Sequence, residues 1–192
     1  MNITVYLGSM RGNDPRYLRY AEELGSGIGR TGNTMVYGGA GDGLMGPAAD
    51  AVLAAGGSVI GVIPEFFLSR RHKKLDTVYV VKTMSERKQK MIELGDAFIA
   101  LPGGPGTMEE ISEVISAVRI GHLNKPCILF SPDGYYDDLK HMYCKMVEEG
   151  FLREEDLSRI CFAETPAQAL RFAGIVQGNE NEGEDRENET ND

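Results

Sequence analysis

The stretch Ala97-Phe98-Ile99-Ala100-Leu101-Pro102-Gly103-Gly104-Pro105-Gly106-Thr107 decides the fold of this chain. It begins as a short apolar run, which is typical of a buried strand, and continues into a loop that contains three glycines and two prolines. An amphipathic stretch follows over 108–120. A strand, a glycine loop and a helix therefore follow one another directly, and the helix N-terminus is predicted to lie at the end of a buried strand.

This loop, the second of two glycine loops in the chain, predicts a binding site for a monophosphate. Residues without a β-carbon let backbone N–H groups approach a ligand closely, and a helix N-terminus attracts anions. The loop lacks the lysine of the P-loop in nucleoside triphosphatases, so hydrolysis of a nucleoside triphosphate is not expected. An alternative is a capping box, because Thr107 and Glu110 have the required spacing. Capping does not account for the glycines and prolines, and we favour the phosphate site.

Short apolar runs alternate with amphipathic stretches along the rest of the chain. Near-continuous apolar runs such as VIGVI, AFIAL and CILF are typical of parallel strands that are covered on both faces. The alternation predicts an α/β fold, a doubly wound parallel sheet with helices on both faces, whose ligands bind at the carboxyl ends of the strands. Predicted strands cover 3–7, 34–37, 58–63, 77–81, 97–101, 127–130 and 160–162, and predicted helices cover 17–28, 48–55, 84–94, 108–120, 136–148 and 166–172.

Length and composition set the domain organisation. The chain has 192 residues and 21.0 kDa, which fits one domain, and its 42% hydrophobic and 26% charged residues are typical of a globular protein. We expect a single domain over 1–175 and an acidic, disordered tail over 176–192. Within that tail, residues 179–192 carry five Glu, two Asp and one Arg, and therefore contribute −6 to the net charge of −9.

Charge and cysteine usage exclude several classes of partner. There is no broad basic surface for a nucleic acid and no apolar run of about 18 residues for a membrane. The one dense basic run, Ser69–Lys74, is expected to be a solvated loop, with a phosphate or partner contact as the alternative. Cys127, Cys144 and Cys161 form no CxxC pair, and the three histidines have no metal-site spacing. Reduced thiols and an N-terminus without a basic segment predict a cytoplasmic protein that holds no metal.

A first glycine loop precedes the one described above and is less specific. It runs over 38–46, and Gly41, Gly43 and Gly46 satisfy the GxGxxG pattern between a predicted strand and helix. Three interpretations stay open: a cradle for a small ligand, tight packing of helix on strand, and a site for NAD. The pattern lies in the second βα unit rather than the first, which makes the NAD interpretation the weakest.

Two charged residues are candidates for catalysis. Arg87 shares a helical line with the apolar Met91 and Leu94, so its side chain either extends to solvent or meets a buried anion. Glu110 lies at the edge of the apolar stripe of the helix after the second glycine loop, whereas Glu113 points away from that stripe. We therefore expect Glu110 beside the phosphate, with Arg87 holding the phosphate or lowering the pKa of that carboxyl.

The combination of Met84-x-x-Arg87-Lys88 with Pro102-Gly103-Gly104-x-Gly106-Thr107-x-x-Glu110 resembles the Lonely Guy family of cytokinin-activating phosphoribohydrolases. The resemblance extends from about Ile3 to Ala173 and includes Gly8-Ser9 and Tyr37-Gly38-Gly39. It implies a homodimeric Rossmann-like enzyme without a metal or organic cofactor. The implied reaction hydrolyses the N-glycosidic bond of a nucleoside 5′-monophosphate to ribose 5-phosphate and adenine or an N6-substituted adenine.

The resemblance also implies roles for residues. Arg87 and Glu110 would be catalytic, and the substrate would be bound by Gly8, Ser9, Gly39, Met84, Lys88, Gly103, Gly104, Pro105, Gly106, Thr107, Glu109 and Ser116. Two places differ from plant-type members: Arg71 stands about where those have a substrate-contacting glutamate, and Ala117–Ile120 replaces Trp-Ala-Gln-Leu. The preferred base therefore stays open. An alternative function is a non-catalytic carrier of a nucleotide or of molybdenum cofactor on the same fold.

Overall fold

The computed structural model describes residues 1–75 and 77–175, which form one parallel sheet of seven strands with helices on both faces. The predicted tail over 176–192 lies outside the described residues. The fold class expected from the strand–helix alternation is confirmed. The strands are β1 (Asn2–Tyr6), β2 (Thr34–Tyr37), β3 (Ser58–Pro64), β4 (Thr77–Val81), β5 (Ala97–Ala100), β6 (Cys127–Phe130) and β7 (Ile160–Ala163).

The order of the strands locates the crevice in which a ligand is expected to bind. The sheet has the order β4-β3-β2-β1-β5-β6-β7, and all of its pairs are parallel. Successive strands are added outward from β1 in one direction up to β4 and in the other from β5, so the direction reverses between β1 and β5. In doubly wound sheets the crevice at this reversal is where ligands bind. The two loops that leave β1 and β5, at Leu7 and Leu101, meet there.

Helices cover the sheet in two groups. The helices are α1 (Arg16–Arg30), α2 (Met45–Ala54), α3 (Met84–Leu94), α4 (Pro105–Arg119), α5 (Asp137–Glu148), α6 (Glu154–Leu157) and α7 (Pro166–Phe172). One apolar core joins α1, α2 and α7 to one face, and a second joins α3, α4 and α5 to the other. Both faces of the central strands are therefore buried, as in β5, where all four residues are inaccessible to solvent.

Small residues bring α1 and α2 unusually close. A β-carbon on Gly25 would lie 2.4 Å from the carbonyl oxygen of Ala48, and one on Gly29 would lie 2.4 Å from that of Val52. Any side chain at these positions would push the helices apart. This contact fixes α2, and with it the first glycine loop that precedes α2.

The predicted elements agree with the structure except at a few ends. The helix expected from 108 begins at Pro105, because proline is favoured in the first turn of a helix, where its missing N–H costs no hydrogen bond. The helix expected from 48 begins at Met45. The short α6 was not predicted, since four residues carry no readable periodicity.

Candidate active site

A cavity of about 210 Å³ lies at the carboxyl ends of the central strands, between the first turns of α3 and α4. It brings together residues from both glycine loops. Its lining consists of Leu7, Ser9, Gly38, Ala40, Met45, Ile63, Phe67, Arg70, Met84, Arg87, Lys88, Gly104, Gly106, Thr107, Glu109 and Glu110. The strand order puts α4, which follows β5, on one side of the cavity and the segments after β2 and β3 on the other. The first end is polar and charged, and the second is formed mainly by apolar side chains.

The N-terminus of α4 forms the polar end. Gly104 is the residue before the first turn, Pro105 is the first helical residue, and Gly106 and Thr107 follow. The first N–H groups of a helix have no partner within it, and proline has no N–H, so the free donors of this turn belong to Gly104, Gly106 and Thr107. These same three residues line the cavity, whereas Pro105 does not. Together with the helix dipole, they make a seat for an anion.

The capping-box interpretation of this turn is wrong. Thr107 is the third residue of α4, with Gly104 at the capping position, and no side chain caps the helix. A capping threonine occurs instead one helix earlier, where Thr83 accepts a hydrogen bond from the N–H of Glu86 at 3.1 Å. The pattern was present at both places in the sequence, but only at Thr83 does the helix begin immediately after the threonine.

The three glycines of the second loop differ in whether packing within the chain requires glycine at that position. A β-carbon on Gly103 would lie 2.2 Å from the hydroxyl oxygen of Thr107, so packing within the chain requires glycine there. A β-carbon on Gly104 or Gly106 would meet no protein atom within 4 Å. Internal packing thus accounts for Gly103 but not for the other two, which border the open cavity.

Arg87 and Glu110 form a buried ion pair in the wall of the cavity. Nη1 of Arg87 donates to Oε1 of Glu110 at 2.5 Å, and the two side chains are only 12% and 10% exposed. Nε of Arg87 also donates to the carbonyl oxygen of Val62 at 3.1 Å. A β-carbon on Gly38 would lie 2.1 Å from Nη2 of Arg87, so this glycine makes room for the guanidinium. Of the two outcomes expected for Arg87, contact with a buried anion is the one observed.

Burial raises the pKa of Glu110 above its ordinary value, and this is the largest influence on that carboxyl. Arg87 acts in the opposite direction through charge and through its hydrogen bond, and does not compensate. Arg87 thus lowers the pKa of Glu110 as expected, but burial outweighs it, since a carboxyl removed from water loses more than one neighbouring cation returns. A carboxyl with such a pKa is suited to exchange protons or to stabilise a cation inside the cavity.

Lys88 makes a second set of ion pairs beside the first. Its Nζ lies 2.7 Å from Oε1 of Glu109 and 3.0 Å from Oε2 of Glu113. The hydrogen bonds to these carboxylates raise the pKa of Lys88, and Lys88 lowers that of Glu109. Lys88 thus joins α3 to α4, in parallel with the pair of Arg87 and Glu110.

The other end of the cavity suits a flat apolar group. It is lined by Ala40, Met45, Ile63, Phe67 and Met84. The first four come from the end of β3 and from the segments that follow β2 and β3, and Met84 begins α3. The short 3-10 helix Glu65–Arg70 carries Phe67 to the rim.

Arg70 adds a cation to this apolar end. It lies 5.6 Å above the Phe67 ring, and its Nε is 2.6 Å from Oδ2 of Asp42. The run Ser69–Lys74 is exposed at every residue except His72, as expected for a solvated loop. Arg70 also lines the cavity, and the buried His72 has Nε2 3.5 Å from Oδ1 of Asp50.

The first glycine loop is explained in large part by packing. A β-carbon on Gly43 would lie 2.3 Å from the backbone of Ser9, and one on Gly46 would lie 2.4 Å from the carbonyl oxygen of Gly41. Two glycines of the GxGxxG pattern therefore serve contacts within the chain. The cradle interpretation applies to Gly38 and Ala40 instead, which line the cavity.

A second cavity of about 220 Å³ adjoins the first and shares Ser9 and Gly104 with it. Gly8 and Gly103, both expected at the site, line this second cavity. Tyr135 and Tyr17 form its aromatic wall, with ring centroids 5.8 Å apart. The second glycine loop is thus accessible from two sides.

The structure does not bring every expected residue to a cavity. Gly39 has a positive φ of 74° and packs on Gly61, Pro105 lines neither cavity, and Ser116 is exposed more than two turns along α4. Arg71 donates to the carbonyl oxygen of Leu75 at 2.9 Å and also lies outside the lining. Sequence reasoning missed Phe67 and Arg70, although an exposed aromatic pair and a basic run after Pro64 were visible signals.

Residues 1–75 and 77–175 contain neither a cluster of metal ligands nor a membrane-spanning helix. In that part of the chain no group of three or more His, Cys, Asp or Glu side chains is placed to hold a metal ion. Within the same residues no helix is long and apolar enough to cross a membrane. The three cysteines are free, with Cys127 buried and the other two half-buried.

Fold and site define a Rossmann-like α/β protein with an anion seat and a buried carboxylate–guanidinium pair at the strand ends. A family model described as "Possible lysine decarboxylase" matches residues 45–172. The chain is 44% identical over 162 residues to the cytokinin riboside 5′-monophosphate phosphoribohydrolase of Rhodococcoides fascians, covering 83% of this chain and 82% of that protein. It is 42% identical over 170 residues to the protein of the same name from Oryza sativa subsp. japonica, covering 88% and 70%. The chain belongs to this family, the Lonely Guy family, as its motifs predicted.

Solved structures share the fold. The molybdenum cofactor binding protein of the phototrophic bacterium Rippkaea orientalis aligns with a TM-score of 0.68 at 23% identity, covering 90% of this chain and 94% of that one. At this identity the likeness supports the architecture and carries no inference about cargo or chemistry.

Proposed function

We propose that the chain is a phosphoribohydrolase that cleaves adenosine 5′-monophosphate, or its N6-substituted forms, to the free base and ribose 5-phosphate. The observation that carries the proposal is that the buried pair of Arg87 and Glu110 and the anion seat of α4 line one cavity. This is the arrangement that cleavage of a phosphorylated riboside needs, because one group must hold the phosphate while another acts at the sugar. The relatives named above carry that activity in their names.

The anion seat holds the 5′-phosphate in this proposal. Gly104, Gly106 and Thr107 supply N–H groups, the threonine hydroxyl is a further donor, and the dipole of α4 favours the negative charge. Lys88 and Glu109, which line the same end, complete the substrate contacts. Fixing the phosphate places the ribose beside Glu110, so that C1′ is held rather than left to diffuse.

Glu110 stabilises the transition state. When the bond between C1′ and the base nitrogen breaks, the electron pair leaves with the base and C1′ acquires cationic character. A nearby carboxylate in a cavity of low polarity stabilises that charge strongly. Water then adds to C1′, its proton passes to Glu110, and the departing base gains a proton in turn. Arg87 positions the carboxylate and holds it between α3 and α4.

The apolar end of the cavity receives the base. Ile63, Phe67 and Met84 provide flat apolar surface for a purine, and the exposure of Phe67 at 39% leaves room at the rim for an N6 substituent. Adenine and N6-substituted adenines are therefore both within the proposal. A comparison of kcat/KM for the two substrates decides between them.

The test is an assay of the pure protein with adenosine 5′-monophosphate and with its N6-isopentenyl derivative. Release of base and ribose 5-phosphate in equal amounts is expected. Nucleotide that binds tightly in calorimetry without any product would overturn the proposal and favour the carrier alternative. The ion pair of Arg87 and Glu110 supports the enzyme, because a carrier needs the anion seat but gains nothing from a buried carboxylate next to the sugar.

Assembly and location complete the proposal. Ile120 and Phe151 are 70% and 80% exposed and line one shallow depression, and exposed apolar groups of this kind support a homodimer that covers them. Three free thiols suit the reducing cytoplasm. Light scattering of the purified chain should give twice the mass of 21.0 kDa, and the mass of a single chain would contradict the dimer.

A further inference from the structure

Two consecutive tyrosines hold two carbonyl groups of the second glycine loop. The hydroxyl of Tyr135 donates to the carbonyl oxygen of Gly103 at 2.7 Å, and that of Tyr136 donates to the carbonyl oxygen of Leu101 at 2.6 Å. Both tyrosines come from the segment that links β6 to α5, more than thirty residues away in sequence. The loop that seats the anion is thus braced from outside by a neighbouring element.

The brace on Gly103 has a consequence for the next residue. In a trans peptide the carbonyl of one residue and the N–H of the following residue point in opposite directions. The described chain has no cis peptide, so a Gly103 carbonyl held toward Tyr135 turns the Gly104 N–H the other way. Tyr135 lines the second cavity, whereas Gly104 lines both cavities and precedes the first turn of α4. The Gly104 N–H is thereby directed to the anion seat.

This peptide is the one in the loop that most needs such a brace. Glycine lies on both sides of it, and without β-carbons the peptide unit rotates with little steric resistance. Rotation by half a turn would replace the N–H donor at the seat by a carbonyl oxygen, which repels a phosphate. On the Gly104 side of the peptide there is open space, because a β-carbon there would meet no protein atom within 4 Å.

We propose that Tyr135 is a positioning residue for phosphate binding, which acts by fixing the orientation of the Gly103–Gly104 peptide. This inference rests on the proposed function, in that the phosphate is taken to be that of the nucleotide. The hydroxyl of Tyr135 does not touch the substrate. It determines whether the seat presents an N–H donor or a carbonyl acceptor.

Tyr136 provides a control within the same structure. The carbonyl it holds belongs to Leu101, and the following residue is Pro102, which has no N–H. Its hydrogen bond therefore anchors the loop without orienting a donor. Tyr136 is 3% exposed and Tyr135 is 41% exposed, so removal of the Tyr136 hydroxyl should affect folding stability more and phosphate binding less.

The experiment compares Tyr135→Phe with Tyr136→Phe in the full chain, measuring affinity for ribose 5-phosphate and for inorganic phosphate by calorimetry, together with thermal unfolding. Phenylalanine retains the edge-on contacts of Tyr135 with Tyr17 and Tyr136. Tyr135→Phe is expected to lower the affinity for both anions about five- to tenfold. The midpoint of thermal unfolding and the affinity for adenine should be unchanged. Tyr136→Phe is expected to lower the midpoint and leave anion affinity within twofold.

Equal loss of anion affinity in the two variants, or no loss in Tyr135→Phe, would overturn the inference, as would a wild-type chain that binds neither anion. Steady-state kinetics add a second readout. In Tyr135→Phe, KM for the nucleotide is expected to rise while kcat stays nearly constant. Anion affinity that depends on Tyr135 in a chain without hydrolytic activity would contradict the proposed function alone. The two proposals therefore fail in different ways.

Discussion

Four parts of the fold meet at the contact between Arg87 and Glu110. The 2.5 Å contact joins the first turn of α3 to the second turn of α4, and the same guanidinium donates to Val62 near the end of β3 and rests against Gly38 after β2. The carboxylate is therefore fixed before any substrate arrives. A group that does not need to reorganise during the reaction is an effective electrostatic catalyst.

Replacement of Glu110 by glutamine separates the proposed catalytic role from a packing role. Glutamine keeps the shape and can still accept from Arg87, but it lacks the negative charge that would stabilise a cation at C1′. We expect Glu110→Gln to fold, to bind ribose 5-phosphate like the wild type and to lose about 10² to 10³ in kcat. Initial rates of adenine release check this. Glu113→Gln, which changes a carboxylate outside the cavity, serves as the control, and an equal loss in both variants would contradict the assignment.

A change at Gly38 should disable the site without altering any polar group. Alanine at this position would place its β-carbon 2.1 Å from Nη2 of Arg87, so the guanidinium must move. We expect Gly38→Ala to lower kcat/KM by roughly 10- to 100-fold, because small displacements of catalytic groups are costly. Kinetics and thermal unfolding of the variant give the measurement. Activity like that of the wild type would show that the position of Arg87 does not matter.

Gly106 and Gly103 should respond to alanine in opposite ways. A β-carbon at Gly106 meets no protein atom, so Gly106→Ala should leave the free energy of unfolding unchanged or raise it by about 0.4–1 kcal/mol. It should nevertheless weaken ribose 5-phosphate binding about tenfold, because it narrows the anion seat. Gly103→Ala collides with Thr107 and should destabilise the fold. Denaturant titration and calorimetry of both variants test the pair, and normal anion affinity in Gly106→Ala would argue against the seat.

The pH dependence should reflect the raised pKa of Glu110. Since the ionised form is the one proposed to act, kcat/KM should fall on the acid side with an apparent pKa above the ordinary value of about 4.3 for glutamate. The same shift makes the folded chain bind that proton more tightly than the unfolded chain. The contribution of Glu110 to stability is therefore greatest below the unfolded pKa and is lost as the pH rises through the folded pKa. Glu110→Gln should abolish this stability change, and an acid limb at or below the ordinary value would contradict the shift.

Much of the fold can be predicted from the sequence, because each strand has a signal in its own few residues. The strands of the central sheet are short apolar runs buried on both faces, so Ala97–Ala100 and Cys127–Phe130 were identified from composition alone. The start of α4 was placed too late, because Pro105 and Gly106 resemble loop residues when only periodicity is considered. Proline in the first turn and glycine before it are in fact typical of a helix start.

The site was readable only where it is made by one continuous segment. The anion seat follows from the second glycine loop itself. The pairing of Arg87 with Glu110 depends on two helices that meet on one face of the sheet, and the sequence left open whether Arg87 contacts the phosphate or Glu110. The brace from Tyr135 and the place of Arg70 in the cavity depend on contacts between distant segments, for which a single sequence has no periodic signal.

The division of the cavity into two ends separates two kinds of evolutionary change. The polar end is built from the loop after β5 and from α3 and α4, whereas the apolar end is built from residues at the ends of β2 and β3, from the short helix at Glu65–Arg70 and from Met84 at the start of α3. Substitutions at Phe67 or Ile63 can therefore remodel which leaving group is accepted without disturbing the residues that hold the phosphate. A chain built in this way can acquire new substrates by a few mutations on one side, while its chemistry is inherited unchanged on the other.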